Sequence, residues 1–305
     1  MNLDIGEVLS SAFKITWKHK ILWVFSTLPM LLSFMIIPIM FVPIIFMDGG
    51  SSGNPFFFES QVYSFLFIGF IFFFSLLSYV LYGITSSSVL LGVIRADEGA
   101  ERLPFRELFN DSKPYWLRVL GVLFLIGLGV FTVFAVIFGC FTLIGAVTMG
   151  LGFICLQPLL LLMYPFMLVL YGIIEESQVA VVADGLGVTD AIKRGWDLVR
   201  ANFWRILLIS LIVYFGVSLL SSVVVFPLMM PFFFIPLFMD SGMSNFDPRT
   251  MMLFMGGFSL IFFPVMAFVQ GIGITFMKST FTLVYLRLTK PQANAPAVFE
   301  KNHDA

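Results

Sequence analysis

The sequence predicts an all-α integral membrane protein with six transmembrane helices, arranged as three hairpins, each preceded by a cytoplasmic amphipathic helix. Three observations predict this class. Of 305 residues, 59% are hydrophobic and only 11% charged, against roughly 25% charged in a globular protein. Continuous apolar runs longer than the ~20 residues that cross a ~30 Å hydrocarbon core recur along the chain, and they lack the alternation of barrel strands. All 5 tryptophans stand in three short stretches that also hold Lys or Arg, each just before a long apolar run. Tryptophan favours the membrane–water boundary, where its ring is apolar and its N–H stays wet. Basic residues collect on the cytoplasmic side of that boundary.

The first element, Asp4 to Lys20, places Ile5, Val8, Leu9, Ala12, Phe13 and Trp17 at helical spacing, with Glu7, Ser10, Ser11, Lys14 and Lys18 opposite. Such a helix lies along a membrane with its apolar face ~5–10 Å deep. Spans follow at about 21–47 and 62–84. The next surface segment, LPFRELFNDSKPYW, starts at Pro104 and is expected to break at Pro114. Residues 117–174 are too long for one span, so they read as 117–140 and 151–174, reversing near Gly145 to Gly152. The third surface helix has Thr189 as N-cap and Asp190 in its first turn. It carries Ile192, Trp196, Val199 and Phe203 on one face and Lys193, Arg194, Asp197 and Arg200 on the other. Spans at about 203–235 and 252–277 complete the set. Pro227, Pro231 and Pro236 are expected to kink or end the first of these.

Sidedness follows from charge. Of the 17 Lys and Arg, all except Arg249 and Lys278 fall on the side that holds the N-terminus, while Asp48, Glu59, Asp240 and Asp247 fall opposite. That skew predicts a cell membrane, here taken as prokaryotic, with both termini cytoplasmic. Internal similarity predicts one polytopic domain over 1–290, a pseudo-threefold repeat of about 4–95, 103–184 and 188–288, and a disordered cytoplasmic tail at 291–305. Sliding the first surface helix over the third pairs Leu9 with Ile192 and Phe13 with Trp196. Aligning Trp116 with Trp204 puts Leu108 under Trp196. The second span of each hairpin ends alike, with Gly83-Ile84, Gly172-Ile173 or Gly273-Ile274, then a polar cluster, then apolar sequence. The predicted interface anchors are Trp17, Trp23, Trp116, Trp196, Trp204, Lys14, Lys18, Arg194 and Arg200.

The stretch Ala180 to Leu208 holds Asp184, Gly185, Leu186 and Gly187, then Ala191, Arg194, Trp196, Leu198, Val199 and Arg200, then Phe203 and Trp204. It resembles the membrane-domain family named after glycerophosphoryl diester phosphodiesterases, in which an acidic Gly-Leu-Gly turn precedes a basic helix with Ser-Trp and then Phe-Trp at a span start. Gly195 stands where that pattern has Ser. The polar stretch after the last span is expected to be a short tail rather than a hydrolase domain, so the resemblance implies fold and location, not phosphodiester hydrolysis.

Chemistry is sparse. The only histidines are His19 and His303; HExxH, GxGxxG, Walker and GxSxG patterns are missing, so no catalytic residue, metal or cofactor is assigned. Cys140 and Cys155 read as buried small hydrophobes. The candidate intramembrane polar site is Gln157, Gln270 and Lys278. Lys278 follows a complete span and is expected to snorkel to the cytoplasmic interface, while the two glutamines are expected to bridge helices. Thr85 to Ser88 should bond back to their own helix or line its contact with another. Asp97, Glu98, Glu101, Glu175, Glu176 and Asp184 read as a solvated or salt-bridged set of loops. Expected partners are membrane lipids and a membrane or cytoplasmic protein, with no nucleic acid. The functional reading is a non-catalytic scaffold or accessory protein whose collar binds anionic lipid or a partner. The alternative is a small-solute or lipid transporter or channel with a polar site between the spans.

Overall fold

A computed structural model describes residues 4–46, 61–148, 150–240 and 248–289, and among these the chain is all helix, with no strand. The helices are α1 (Ile5–Lys18), α2 (Ile21–Phe46), α3 (Gln61–Asp97), α4 (Phe105–Val147), α5 (Leu151–Ala183), α6 (Val188–Ala201), α7 (Phe203–Asp240) and α8 (Pro248–Thr289). Five of them (α3, α4, α5, α7 and α8) are long and apolar enough to cross a membrane, and α1 with α2 forms a sixth candidate bent by 83°. This is an all-α membrane protein. The expected 291–305 tail lies outside the described residues.

The local signals act as their chemistry requires. The Asp4 carboxylate caps α1, accepting from the Gly6 and Glu7 amides at 2.9 and 3.2 Å. Gly187 rather than Thr189 is the N-cap of α6, so that helix begins before the residue expected to cap it. Between α4 and α5 the chain reverses through Gly150 at φ +92°, a left-handed conformation that favours glycine. Pro104 caps α4 as expected, but Pro114 does not break the helix and lies inside it. Pro114 is exposed there, so the carbonyl that loses its amide partner can be hydrated instead. Nor does α7 end at its prolines, since it continues to Asp240.

The long helices run well past the predicted span ends. At ~1.5 Å per residue, lengths of 33 to 43 residues give about 50–65 Å, against a ~30 Å hydrocarbon core. The polar clusters on α3, α5 and α8 do not stop them, because the hydroxyls donate to carbonyls one turn back. Thr85 bonds Tyr82, Ser88 bonds Ile84, Ser177 bonds Ile173, Thr275 bonds Gly271 and Thr282 bonds Lys278, all at 2.6–3.2 Å.

Helices α3, α5 and α8 pack on one another, while α2 lies against α8 and α3, α4 against α3 and α5, and α7 against α5 and α8. The short α1 packs on α8 and α6 on α5. The start of α4 packs on α3 through the Ser88–Ser112 bond at 2.8 Å and the Arg95–Asp111 ion pair at 2.5 Å. Glycines permit the closest approaches. A Cβ on Gly195 would stand 2.9 Å from the Ser177 amide nitrogen and 3.0 Å from the Ile173 carbonyl oxygen, both backbone atoms of α5. Cys140 is exposed on α4 rather than buried, because the most apolar stretch of that helix is only 6% buried in protein.

Two substitutions test the packing by thermal unfolding in detergent. Gly195→Val should lower stability by about 1–3 kcal/mol, since backbone cannot yield to the added carbons. Gly127→Ala, where nothing lies within 4 Å of the added Cβ, should be neutral or stabilising by about 0.5–1 kcal/mol.

Candidate functional site

The polar clusters in the C-terminal parts of the three central helices meet one another. From α8, Lys278 places its ammonium 3.1 Å from Glu175 Oε2 and 3.2 Å from Gln178 Oε1, both on α5. From α3, Ser86 donates to the same Gln178 oxygen at 2.7 Å. The Tyr82 ring lies over the ammonium, its centroid 5.4 Å away, and Tyr171 sets its ring edge-on to Phe281 at 5.6 Å. Lys278 and Glu175 are each 1% exposed and Gln178 is fully buried. Both oxygens of the neighbouring Glu176 are buried with no hydrogen-bond partner, as is the Gln178 Nε2.

This corrects two expectations. Lys278 does not snorkel; the packing of α1, α2 and α3 on α8 closes its route to water, and Glu175 supplies the counter-charge. Glu175 and Glu176 are not loop carboxylates, because α5 continues through them to Ala183. Asp97 is salt-bridged as expected, to Arg287 at 3.0 Å, while Asp184 accepts a hydrogen bond from the Tyr285 hydroxyl at 2.5 Å. Gln270 is half-buried two turns before Lys278 and makes no bond to the cluster. The Gln157 side chain lies outside the described residues.

A second set of bonds surrounds the first. Thr275 bonds Ser26 at 2.8 Å and Thr16 bonds Ser279 at 3.4 Å, tying α8 to α2 and to α1. The predicted anchors divide. Trp17, Trp196 and Trp204 are 54%, 52% and 77% exposed, and Lys14, Lys18, Arg194 and Arg200 are exposed as well. Trp116 is half-buried. Trp23 departs from the others: it is buried and donates from Nε1 to the Thr16 carbonyl at 2.9 Å, with its ring edge-on to Trp17. It fastens α1 to α2 and does not face lipid.

Chemically, the cluster holds charge and fixes helices. Its cation is occupied by Glu175, Gln178 and the Tyr82 face. Among the described residues no group of three or more His, Cys, Asp or Glu could hold a metal ion. Sequence reasoning missed Gln178 and placed Glu175 in a loop, whereas Ser86 lies in the Thr85 to Ser88 run expected to line a contact with another helix and does so through Gln178. The available signal was their place in the chain: like Lys278, Glu175 and Gln178 follow a Gly-Ile pair and are flanked by apolar sequence on both sides.

A family model described as a domain of unknown function, DUF7847, matches residues 38–288, from the last turns of α2 through α8. No curated protein and no solved structure matches the chain.

Removing one partner of a buried ion pair leaves the other uncompensated, so Lys278→Met and Glu175→Gln should each lower stability by about 3–5 kcal/mol. The double variant should lose less than the sum of the two, as a double-mutant cycle on thermal unfolding would measure. At the α1–α2 bend His19 is 7% exposed, and burial, followed by the adjacent Lys18 charge, holds its imidazole below the ordinary value of 6.5. The unfolded chain therefore binds the proton more readily. The contribution of His19 to stability is present above that value and lost as pH falls below it. Amides from Ile15 to Trp23 should open more often on acidification in hydrogen exchange, and His19→Gln should remove the dependence.

Proposed function

The chain belongs to the DUF7847 family, and we propose that it is a non-catalytic membrane scaffold whose surface helices bind anionic lipid headgroups. In this reading six spans form three hairpins about a pseudo-threefold axis through α3, α5 and α8. The N-terminus and the collar of α1, α6 and the start of α4 face the cytoplasm. The resemblance to the phosphodiesterase membrane-domain family is part of the same proposal, as a kinship of the membrane domain only.

One observation carries it. α1 and α6 both have 14 residues, and superposed from their first residues they share three buried positions: Val8 with Ala191, Ala12 with Gly195 and Thr16 with Val199. Phe13 and Trp196, also paired, are both more than half exposed, beside exposed Lys14 and Arg194. A helix that seats small residues on protein and turns aromatic and basic residues outward is built for a boundary with lipid headgroups. The start of α4 supports the pattern with a slip of one residue from the Trp116–Trp204 alignment. Buried Leu108 and Ser112 then match Gly195 and Val199, and Phe109 matches Trp196. Each surface helix also packs on the second span of the preceding hairpin, with α1 on α8 closing the ring.

The transporter reading has its own support in the meeting of Ser86, Glu175, Gln178 and Lys278 between three spans. Ser86→Cys in a Cys140→Ser, Cys155→Ser background separates the two. The scaffold keeps this thiol unreactive toward a water-soluble maleimide, whereas a transporter exposes it during its cycle.

The lipid proposal predicts that adding phosphatidylglycerol, but not phosphatidylcholine, raises the melting temperature of the purified protein by several degrees, less so at high salt. Replacing Lys14, Lys18, Arg194 and Arg200 with Gln should abolish the difference. Equal melting in both lipids would sink the proposal.

A further inference from the structure

Two seams of the bundle use the same geometry but different chemistry. Between α2 and α8, Gly271 brings the helices together: a Cβ there would lie 2.9 Å from the Thr27 backbone. One turn later on the same face of α8, Thr275 is satisfied by Ser26 Oγ, the Leu22 carbonyl and the Gly271 carbonyl at 2.8–3.3 Å. Between α5 and α7, Gly172 plays the same part: a Cβ there would lie 2.9 Å from Ile206 and 3.6 Å from Ser210 Oγ. One turn later on that face stands Glu176, fully buried, with neither oxygen bonded, and the Ser210 hydroxyl, 1% exposed, also has no partner.

The charges do not balance. The buried cluster holds two carboxyl groups, Glu175 and Glu176, and one ammonium, which is bound to Glu175. An isolated buried carboxylate costs several kcal/mol, so one further positive charge is required at Glu176. The unbonded buried groups on the facing sides of α5 and α7, the Glu176 carboxylate and the Ser210 hydroxyl, are oxygens, the ligand type of a hard cation. We propose that Glu176 and Ser210 hold a monovalent cation, a proton or a sodium ion, in the seam between α5 and α7. The site does not depend on the scaffold reading.

On the helices packed against this stretch of α5, Tyr285 and Arg287 of α8 are bonded to Asp184 and Asp97, while Tyr214 of α7 and Asp190, Lys193, Asp197 and Arg200 of α6 are exposed. Lys278 on α8 is paired and lies under Tyr82 of α3, while Arg118 on α4 donates to the Gly185 carbonyl at 2.9 Å. Arg194 on α6 and Arg205 on α7 are exposed.

The test is the melting temperature of the full-length protein in detergent, from about pH 5 to about pH 9, with sodium chloride exchanged for choline chloride at constant ionic strength. For sodium, melting rises saturably by several degrees with sodium and not with choline. For a proton, melting falls as pH rises, with or without sodium. In either case Glu176→Gln flattens the dependence that the wild type shows. Ser210→Ala weakens sodium saturation about tenfold, the loss of one oxygen ligand to the ion. A wild type indifferent to both variables, or a Glu176→Gln protein that keeps the full dependence, overturns the proposal. Should Glu176→Gln fail to fold, dicyclohexylcarbodiimide decides on the wild type, because this reagent modifies protonated carboxyls in apolar surroundings. Labelling at Glu176 that sodium or high pH suppresses supports the site, and its absence at every pH overturns it.

Discussion

One ammonium group sealed among three long helices constrains this fold more than any other single feature. Lys278 cannot be hydrated where it sits, so α5 must bring Glu175 and Gln178 to it and α3 must bring Ser86 to Gln178. The pair alone need not be worth more than a well-packed apolar contact, but only one mutual placement of the helices satisfies it, and every other leaves a charge bare. Rotating α5 by one residue, about 100°, would turn Glu175 away from α8. The central helices are therefore fixed in rotation and in depth by a single set of bonds.

The outer elements inherit that depth. Ser279 follows Lys278 directly and bonds Thr16 of α1, Ser177 stands beside Glu176 and lies under Gly195 of α6, and Ser88 lies near Ser86 and bonds Ser112 of α4. The polar centre and the three surface segments therefore occupy one level of the bundle. The opposite half of the bundle is apolar and outward-facing, as Phe72 on α3, Phe131 on α4, Leu220 on α7 and Ile261 on α8 illustrate, all roughly 70% exposed. The helices exceed a ~30 Å hydrocarbon core by about 20–35 Å, which leaves room for the polar level at the edge of the bilayer. Transport sites commonly lie near the midplane. On the proposed scaffold reading, a dry ion pair at this level acts as a clamp.

How much of this was legible depended on whether a residue's role is set locally. The helical class, the reversal near Gly150, the cap at Pro104 and the back-bonding of Thr85, Ser87 and Ser88 follow from residues within a turn or two of each other, and they were readable. The role of Lys278 was not, because it depends on a carboxylate more than a hundred residues away. Counting the span as complete before Lys278 assumed that a helix ends where hydrocarbon ends. Hydroxyls that satisfy themselves within the helix remove that need. Trp23 failed for a similar reason: its composition marks a boundary, but the 83° bend between α1 and α2 turns it inward to the Thr16 carbonyl. Glu175 and Glu176 were readable in principle, since two acids between IleIle and ValAlaValVal cannot be a loop without exposing that apolar sequence.

The difference between the three second spans bears on why a repeat would be held in one chain. Under the proposed threefold arrangement, α3, α5 and α8 occupy equivalent places, yet they contribute hydroxyls, carboxyls with an amide, and an ammonium respectively. Three identical units could not make this centre, because each would present the same charge and the like charges would repel. Fusion into one chain lets each position take a different sign. It also makes the order of the hairpins matter, since Lys278 finds its counter-charge only if α8 stands beside α5. A buried pair that adds little net stability can still exclude the wrong arrangement by several kcal/mol, through the cost of the unpaired alternative. Under the proposed arrangement the cluster would select one packing of the three hairpins, and the surface helices would be carried into register as a consequence.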